Sequence, residues 1–97
     1  MIDIYEINNN LEKYLLSINE NEFFILKNVF EKFRKKTGYN IDEYNDLILT
    51  EGAIENLLYI LNEKIKIKDE NKLLFSKYYK FFSAVKNNGG KLAFYGD

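Results

Sequence analysis

Carboxylates and tyrosines are concentrated between residues 39 and 55, and these are the side chains of the chain best suited to binding chemistry. The wider stretch 37–62 contains no lysine or arginine. Carboxylates attract a basic surface and tyrosine rings supply rigid contact area, so the stretch predicts a docking surface for a basic protein partner. The candidate partner-binding residues are Tyr39, Asp42, Glu43, Tyr44, Asp46, Glu51 and Glu55.

The same carboxylates have two other interpretations. Asp42, Glu43 and Glu51 lie near predicted helix starts, where the helix dipole favours negative charge without any function. Asp42, Glu43 and Asp46 have oxygen ligands of the kind that Mg²⁺ prefers, and positions 42 and 46 share a face of the predicted helix. No glycine-rich phosphate loop accompanies them, and we therefore predict neither a metal nor another cofactor.

The composition excludes several classes of enzyme. The chain of 97 residues has no cysteine and no histidine, which rules out zinc sites built on those residues and Cys–His or Ser–His–Asp catalysis. We predict that it is not an enzyme. Lysines and rings alternate over residues 77–82, as in single-strand binders, but Tyr78, Phe81 and Phe82 fall on a predicted inner helix face. With a pI near 5.5, nucleic acid is a disfavoured partner.

Apolar residues at three- and four-residue steps predict five helices. The first has a stripe of Ile4, Ile7, Leu11, Tyr14, Leu15 and Ile18. The second follows a capping box formed by Asn19 and Glu22 and ends at Gly38.

Three more helices are predicted after Gly38. A short one starts at 40–43 and turns Tyr44, Leu47 and Ile48 inward, and the next is capped by Thr50. The last starts at Asp69 and ends at 87–90, where two asparagines precede two glycines. The inner stripes of these two longer helices are Ile54, Leu57, Leu58 and Leu61, then Leu74, Tyr78, Phe81, Phe82 and Val85.

The expected fold is all-α: one domain, residues 1–97, forming a compact bundle of about five helices with Phe30, Leu58 and Phe82 in its core. Residues 65–68 are compatible with a helix end or a strand, and their strict alternation favours a strand. Paired with the apolar tail 91–95, they predict a minor two-stranded C-terminal ribbon. No signal peptide is visible and no apolar run approaches the roughly 20 residues of a membrane span, so a cytoplasmic location is expected.

The chain resembles the small immunity proteins that bacteria encode beside secreted toxins, of the colicin and contact-dependent-inhibition types. The likeness lies in its size, its lack of catalytic residues and the acidic, tyrosine-flanked segment from Tyr39 to Glu55. It implies stoichiometric inhibition of a cognate toxin, such as a nuclease, by covering its active site. Two alternatives remain open: a small transcriptional or nucleic-acid-associated regulator, and a phage-encoded inhibitor of a bacterial defence system.

Overall fold

The chain begins with a β-hairpin where a helix was predicted. The computed structural model describes residues 1–67 and 69–96, and in it β1 (Ile2–Asn8) pairs antiparallel with β2 (Leu11–Ile18). Asn9 and Asn10 join the strands with φ angles of 53° and 64°. A two-residue hairpin turn requires φ above zero at both positions, and asparagine adopts this conformation more readily than most residues. The predicted helical stripe is therefore wrong.

The described residues form a sheet of four antiparallel strands, and the fourth of these along the sequence lies inside the sheet. β4 (Lys91–Gly96) pairs with β1 on one side and with β3 (Asp46–Leu49) on the other. The strand order is β2-β1-β4-β3. The tail does form a strand as predicted, but its described partners are β1 and β3. Residues 65 and 66, predicted as the other strand of the ribbon, are helical, and Lys68 lies outside the described residues.

The short helix predicted from Asn40 is also wrong, because residues 40–45 form a loop that leads into β3. The carboxylate of Asp42 accepts hydrogen bonds from the backbone N–H of Tyr44 (2.8 Å) and from the amide of Asn45 (3.0 Å). Such local bonding offers the backbone an alternative to a helical turn.

Three helices are formed by the described residues: α1 (Glu20–Thr37), α2 (Glu51–Lys66) and α3 (Lys72–Asn87). Asn19 caps α1 as predicted, since its side chain accepts from the N–H of Glu22 at 2.8 Å. Gly38 ends that helix in the left-handed conformation with φ of 83°. Thr50 occupies the N-cap position of α2. The predicted start of α3 is displaced, because Asp69 instead accepts from the N–H of Asn71, and Asn71 becomes the N-cap.

The helices cover one face of the sheet, and the core lies between them. The predicted core residues Phe30, Leu58 and Phe82 are buried, whereas Phe81, predicted to face inward, is 37% exposed. The strands contribute Ile2, Ile4, Leu16, Ile18, Leu49, Leu92 and Phe94 to the same cluster. The described residues therefore form an α+β fold, with three helices packed on one side of an antiparallel sheet. The prediction of an all-α bundle of about five helices is wrong.

Substitutions at Asn10 distinguish the hairpin from the helix that the sequence suggested. In the turn, Asn10→Gly should be at least as stable as the parent, and Asn10→Ala should lose about 1 kcal/mol, because φ is positive there. In a helix the order would be reversed, with alanine about 1 kcal/mol more stable than glycine. Urea denaturation of the two variants gives the order directly.

The packing of α3 on the sheet predicts a large loss of stability for Phe82→Ala. The ring of Phe82 is 1% exposed and contacts that of Phe94 at a centroid distance of 5.8 Å. Removing a buried phenylalanine side chain costs about 3–5 kcal/mol. Phe24→Ala is the matched control, since Phe24 is 78% exposed. Equal melting temperatures for the two variants would contradict the described packing.

Candidate partner-binding site

One face of the sheet is left uncovered by the helices. Side chains alternate along a strand, so the neighbours of each core residue point to this second side, called here the open face. An antiparallel sheet commonly exposes one face in this way. The open face carries Glu12, Tyr14 and Ser17 of β2, Asp3, Tyr5 and Ile7 of β1, Lys91, Ala93 and Tyr95 of β4, and Asp46 and Ile48 of β3.

A β-bulge decides which tyrosine stands beside Tyr5. Ile4 pairs with Leu16, but the next residue, Tyr5, pairs with Tyr14, so that Leu15 is the extra residue in β2. Continuous pairing would have placed Leu15 opposite Tyr5. Bulges redirect the side chains that follow them, and here the bulge brings two tyrosines together on the open face.

Three tyrosines form a cluster at the centre of this face. The ring of Tyr5 lies 5.5 Å from that of Tyr14 in an edge-to-face arrangement, and 5.4 Å from that of Tyr95, centroid to centroid. These are distances at which aromatic rings attract each other. Tyr14 is 53% exposed, and Ile48, on the far side of β4, is 50% exposed. The cluster therefore offers aromatic and aliphatic surface to solvent.

Hydrogen bonds fix the orientation of two of the rings. Ser17 donates to Oδ1 of Asp3 at 2.5 Å, so its oxygen accepts from the hydroxyl of Tyr14 at 2.7 Å. The hydroxyl of Tyr95 donates to Glu12. That hydrogen bond raises the pKa of Tyr95 to about 12, with smaller contributions from burial and from the negative charges of Glu12 and Asp46. The phenol of Tyr95 thus stays protonated at neutral pH.

The open face carries uncompensated negative charge. Asp3, Glu12 and Asp46 stand against a single cation, Lys91. Asp3 and Asp46 occupy the positions on either side of Tyr95 in the sheet. Within residues 1–67 and 69–96, none of the three carboxylates forms an ion pair, although other acids of the chain do. Lys91 offsets at most one of these three charges, so the described residues of the face carry a net negative charge.

Protein-family models, curated proteins and solved structures offer no match to this chain. The resemblance to immunity proteins therefore stays a prediction.

The loop residues of the predicted site are engaged within the protein. Asp42 holds the 40–45 loop through its hydrogen bonds to Asn40, Tyr44 and Asn45. Glu43 is half-buried and its carboxylate lies 3.6 Å from the amino group of Met1. Asp42 therefore orders the loop, and the charge of Glu43 is partly offset by the amino group of Met1.

The other predicted site residues lie on separate elements. Tyr39 stacks on Phe33 at the end of α1, with 6.3 Å between ring centroids, and is 44% exposed. Tyr44 is 88% exposed in the loop before β3. Glu51 and Glu55 lie on α2, where Glu55 pairs with Lys86 at 3.3 Å. Asp46 is the member of the predicted set that lies on the open face.

Sequence reasoning missed the tyrosine cluster because it assigned its residues to a helix and a tail. A usable signal was present in β1, where Ile2 and Ile4 alternate with Asp3 and Tyr5 before the asparagine pair of the turn. The bulge at Leu15 left no comparable signal.

The described part of the chain contains neither a metal-binding cluster nor a helix that could span a membrane. Its residues contain no group of three or more carboxylates placed to hold a metal ion. Asp42, which was considered as a Mg²⁺ ligand, is surrounded by amide donors instead. No helix formed by residues 1–67 and 69–96 has the length and apolar character needed to cross a membrane.

Glu12→Gln should lower the pKa of Tyr95 from about 12 towards the ordinary value near 10, because the neutral amide no longer stabilises the protonated phenol by charge. The raised pKa means that this interaction stabilises the fold below pH about 10 and is lost as the pH rises towards 12. A pH titration followed by NMR of tyrosine-labelled protein measures the pKa of Tyr95, and the loss of the folded signals at high pH reports the change in stability. Glu51→Gln, on α2, is the control and should leave the titration unchanged.

Proposed function

We propose that this chain is a stoichiometric protein inhibitor of the immunity-protein kind, which binds a basic protein partner through the open face of its sheet. The observation that carries the proposal is the tyrosine cluster of Tyr5, Tyr14 and Tyr95 beside three carboxylates that form no ion pair among the described residues. Tyrosine is enriched in protein interfaces because it buries a large rigid ring and keeps a polar end. Complementary charge speeds encounter and fixes orientation.

The area of the open face indicates how far the contact must extend. Four strands about 4.8 Å apart, each contributing about five residues at 3.3 Å, span roughly 300 Å². A stable interface buries about 800 Å² on each partner. The partner must therefore also reach neighbouring surface, such as Tyr44 (88% exposed) in the loop that leads into β3.

The inhibitory role is inferred from the chemistry of the face and from the resemblance to immunity proteins. Carboxylates beside aromatic rings imitate the phosphates and bases that a nuclease binds, so such a face can occupy a substrate cleft. A bacterial toxin is the partner that the resemblance implies, and a basic effector of a bacterial defence system would fit the same surface. Either partner would be inactivated by masking its active site, with no chemistry contributed by this chain.

Nucleic-acid binding is the second candidate, because aromatic side chains on an open sheet also stack the bases of single-stranded RNA. The charges oppose it. A phosphate backbone crossing Tyr5 and Tyr95 would meet Asp3, Glu12 and Asp46, whereas binders of single strands line such a path with lysine and arginine. We therefore favour a protein partner.

A paired set of charge reversals tests the role of the open face. The partner is first captured on the immobilised chain from a nuclease-treated lysate of the source cell and identified, with an expected stoichiometry of 1:1. Glu12→Lys with Asp46→Lys should then slow association about tenfold, and raised salt should have the same effect on the parent. Glu63→Lys with Glu70→Lys changes the net charge equally on exposed residues away from the sheet and should leave association within about twofold.

Equal effects of the two double variants would show that net charge alone governs binding and would contradict the assignment to the open face. If the treated lysate yields no protein, and a parallel untreated lysate yields only nucleic acid that is lost after nuclease treatment, the regulator hypothesis replaces the inhibitor.

A further inference from the structure

We infer that the tyrosine cluster of the open face receives an arginine side chain, so that the partner presents an arginine-bearing segment to it. The inference rests on the proposed function, since it takes the open face as the interface, and it specifies the group that is bound. Three observations carry it: the presentation of the rings, the absence of a cation over them, and the position of the carboxylates.

Two of the three rings, those of Tyr14 and Tyr95, are held so that their surfaces, and not their hydroxyls, are available to a ligand. Tyr14 donates its proton to Ser17, and Tyr95 donates to Glu12. Tyr5 lies between them and contacts both rings. A cation within about 6 Å of a ring centroid is attracted by the negative face of the ring. A cluster in which Tyr14 and Tyr95 have their hydroxyls satisfied internally, and in which Tyr14 is half exposed, is suited to that contact.

Elsewhere the chain supplies cations to its own tyrosines. The ammonium of Lys36 lies 4.7 Å from the ring centroid of Tyr59, and that of Lys77 lies 5.4 Å from the centroid of Tyr78. No lysine or arginine of the described residues occupies the corresponding position over Tyr5, Tyr14 or Tyr95. The open-face cluster therefore has room for a cation from another molecule.

The carboxylates favour a guanidinium over an ammonium. Asp46 has no hydrogen bond or ion pair among the described residues, and Asp3 uses Oδ1 for Ser17. The two aspartates lie two strand spacings apart, roughly 10 Å, with Tyr95 in the strand between them. A planar guanidinium stacks on a ring and directs its N–H groups sideways to a carboxylate at the same time, which a point-like ammonium cannot do as well.

Titration of the isotope-labelled protein with short capped peptides tests this directly by NMR. The probe is Gly-Arg-Gly-Arg-Gly, compared with the same peptide containing lysine or citrulline, which is the uncharged analogue of arginine. We expect saturable shifts at Tyr5, Tyr14, Tyr95 and Asp46 with the arginine peptide. Binding should be at least threefold weaker with lysine and undetectable with citrulline. Equal binding of the lysine peptide, or no shift at these residues, would overturn the inference.

Two variants of the protein locate the site. Asp46→Asn should weaken binding of the arginine peptide at least threefold while it leaves the fold intact, because Asp46 is exposed on an edge strand. Glu63→Gln, on the exposed side of α2, is the matched control and should bind as the parent does. Shifts that persist in Asp46→Asn and disappear in Glu63→Gln would place the cation elsewhere and overturn the inference.

The captured partner separates this inference from the proposed function. If the complex forms and is weakened by the open-face charge reversals, but replacing each contacting arginine of the partner by lysine changes the dissociation constant less than threefold, the function stands and the inference is wrong. If no protein is captured and a single-stranded oligonucleotide shifts the same tyrosines more strongly than the peptide, both are wrong.

Discussion

The pairing of β4 between β1 and β3 is the constraint on which the rest of the structure depends. This strand joins the N-terminal hairpin to the short edge strand, and without it neither would belong to a sheet large enough to be stable in water. Side chains alternate between the two faces of the sheet along β4, so that Leu92 and Phe94 enter the core while Tyr95 joins the open face. Because β1 and β4 are separated by more than 80 residues, the sheet depends on a contact between segments that are distant in sequence.

This dependence explains which elements could be predicted from the sequence. α1, α2 and α3 are specified by local signals, such as the cap at Asn19 and the left-handed glycine at Gly38, and these were recognised. The sheet depends on contacts between distant residues, and apolar spacing alone did not reveal them. Ile4, Ile7 and Leu11 fit a helical period by coincidence, because a strand, a tight turn and a second strand place apolar residues at similar intervals.

In the candidate site, too, residue types could be recognised from the sequence, but the contacts between distant residues could not. Acidic residues were recognisable by type, but their roles depended on what folding placed beside them: Asp42 organises a loop, Glu55 pairs with Lys86, and Asp46 stays free on the open face. The tyrosine cluster combines residues from three strands and depends on the bulge at Leu15. No local pattern specifies such a meeting, although each strand carries the alternation that makes it feasible.

On the open face, the stability of the sheet explains the tyrosines but does not explain the aspartates. Cross-strand aromatic pairs such as Tyr5 with Tyr14 stabilise a sheet by roughly 0.2–1 kcal/mol, so the fold alone is a sufficient reason for tyrosines there. It is not a sufficient reason for Asp3 and Asp46 on either side of Tyr95. Aspartate is a poor strand former, and lysine at either position would have relieved the negative potential. Residues that oppose local stability without a cationic partner are characteristic of binding sites, and among the described residues neither Asp3 nor Asp46 has one. On this face the carboxylates, more than the rings, are therefore the reason to propose a ligand.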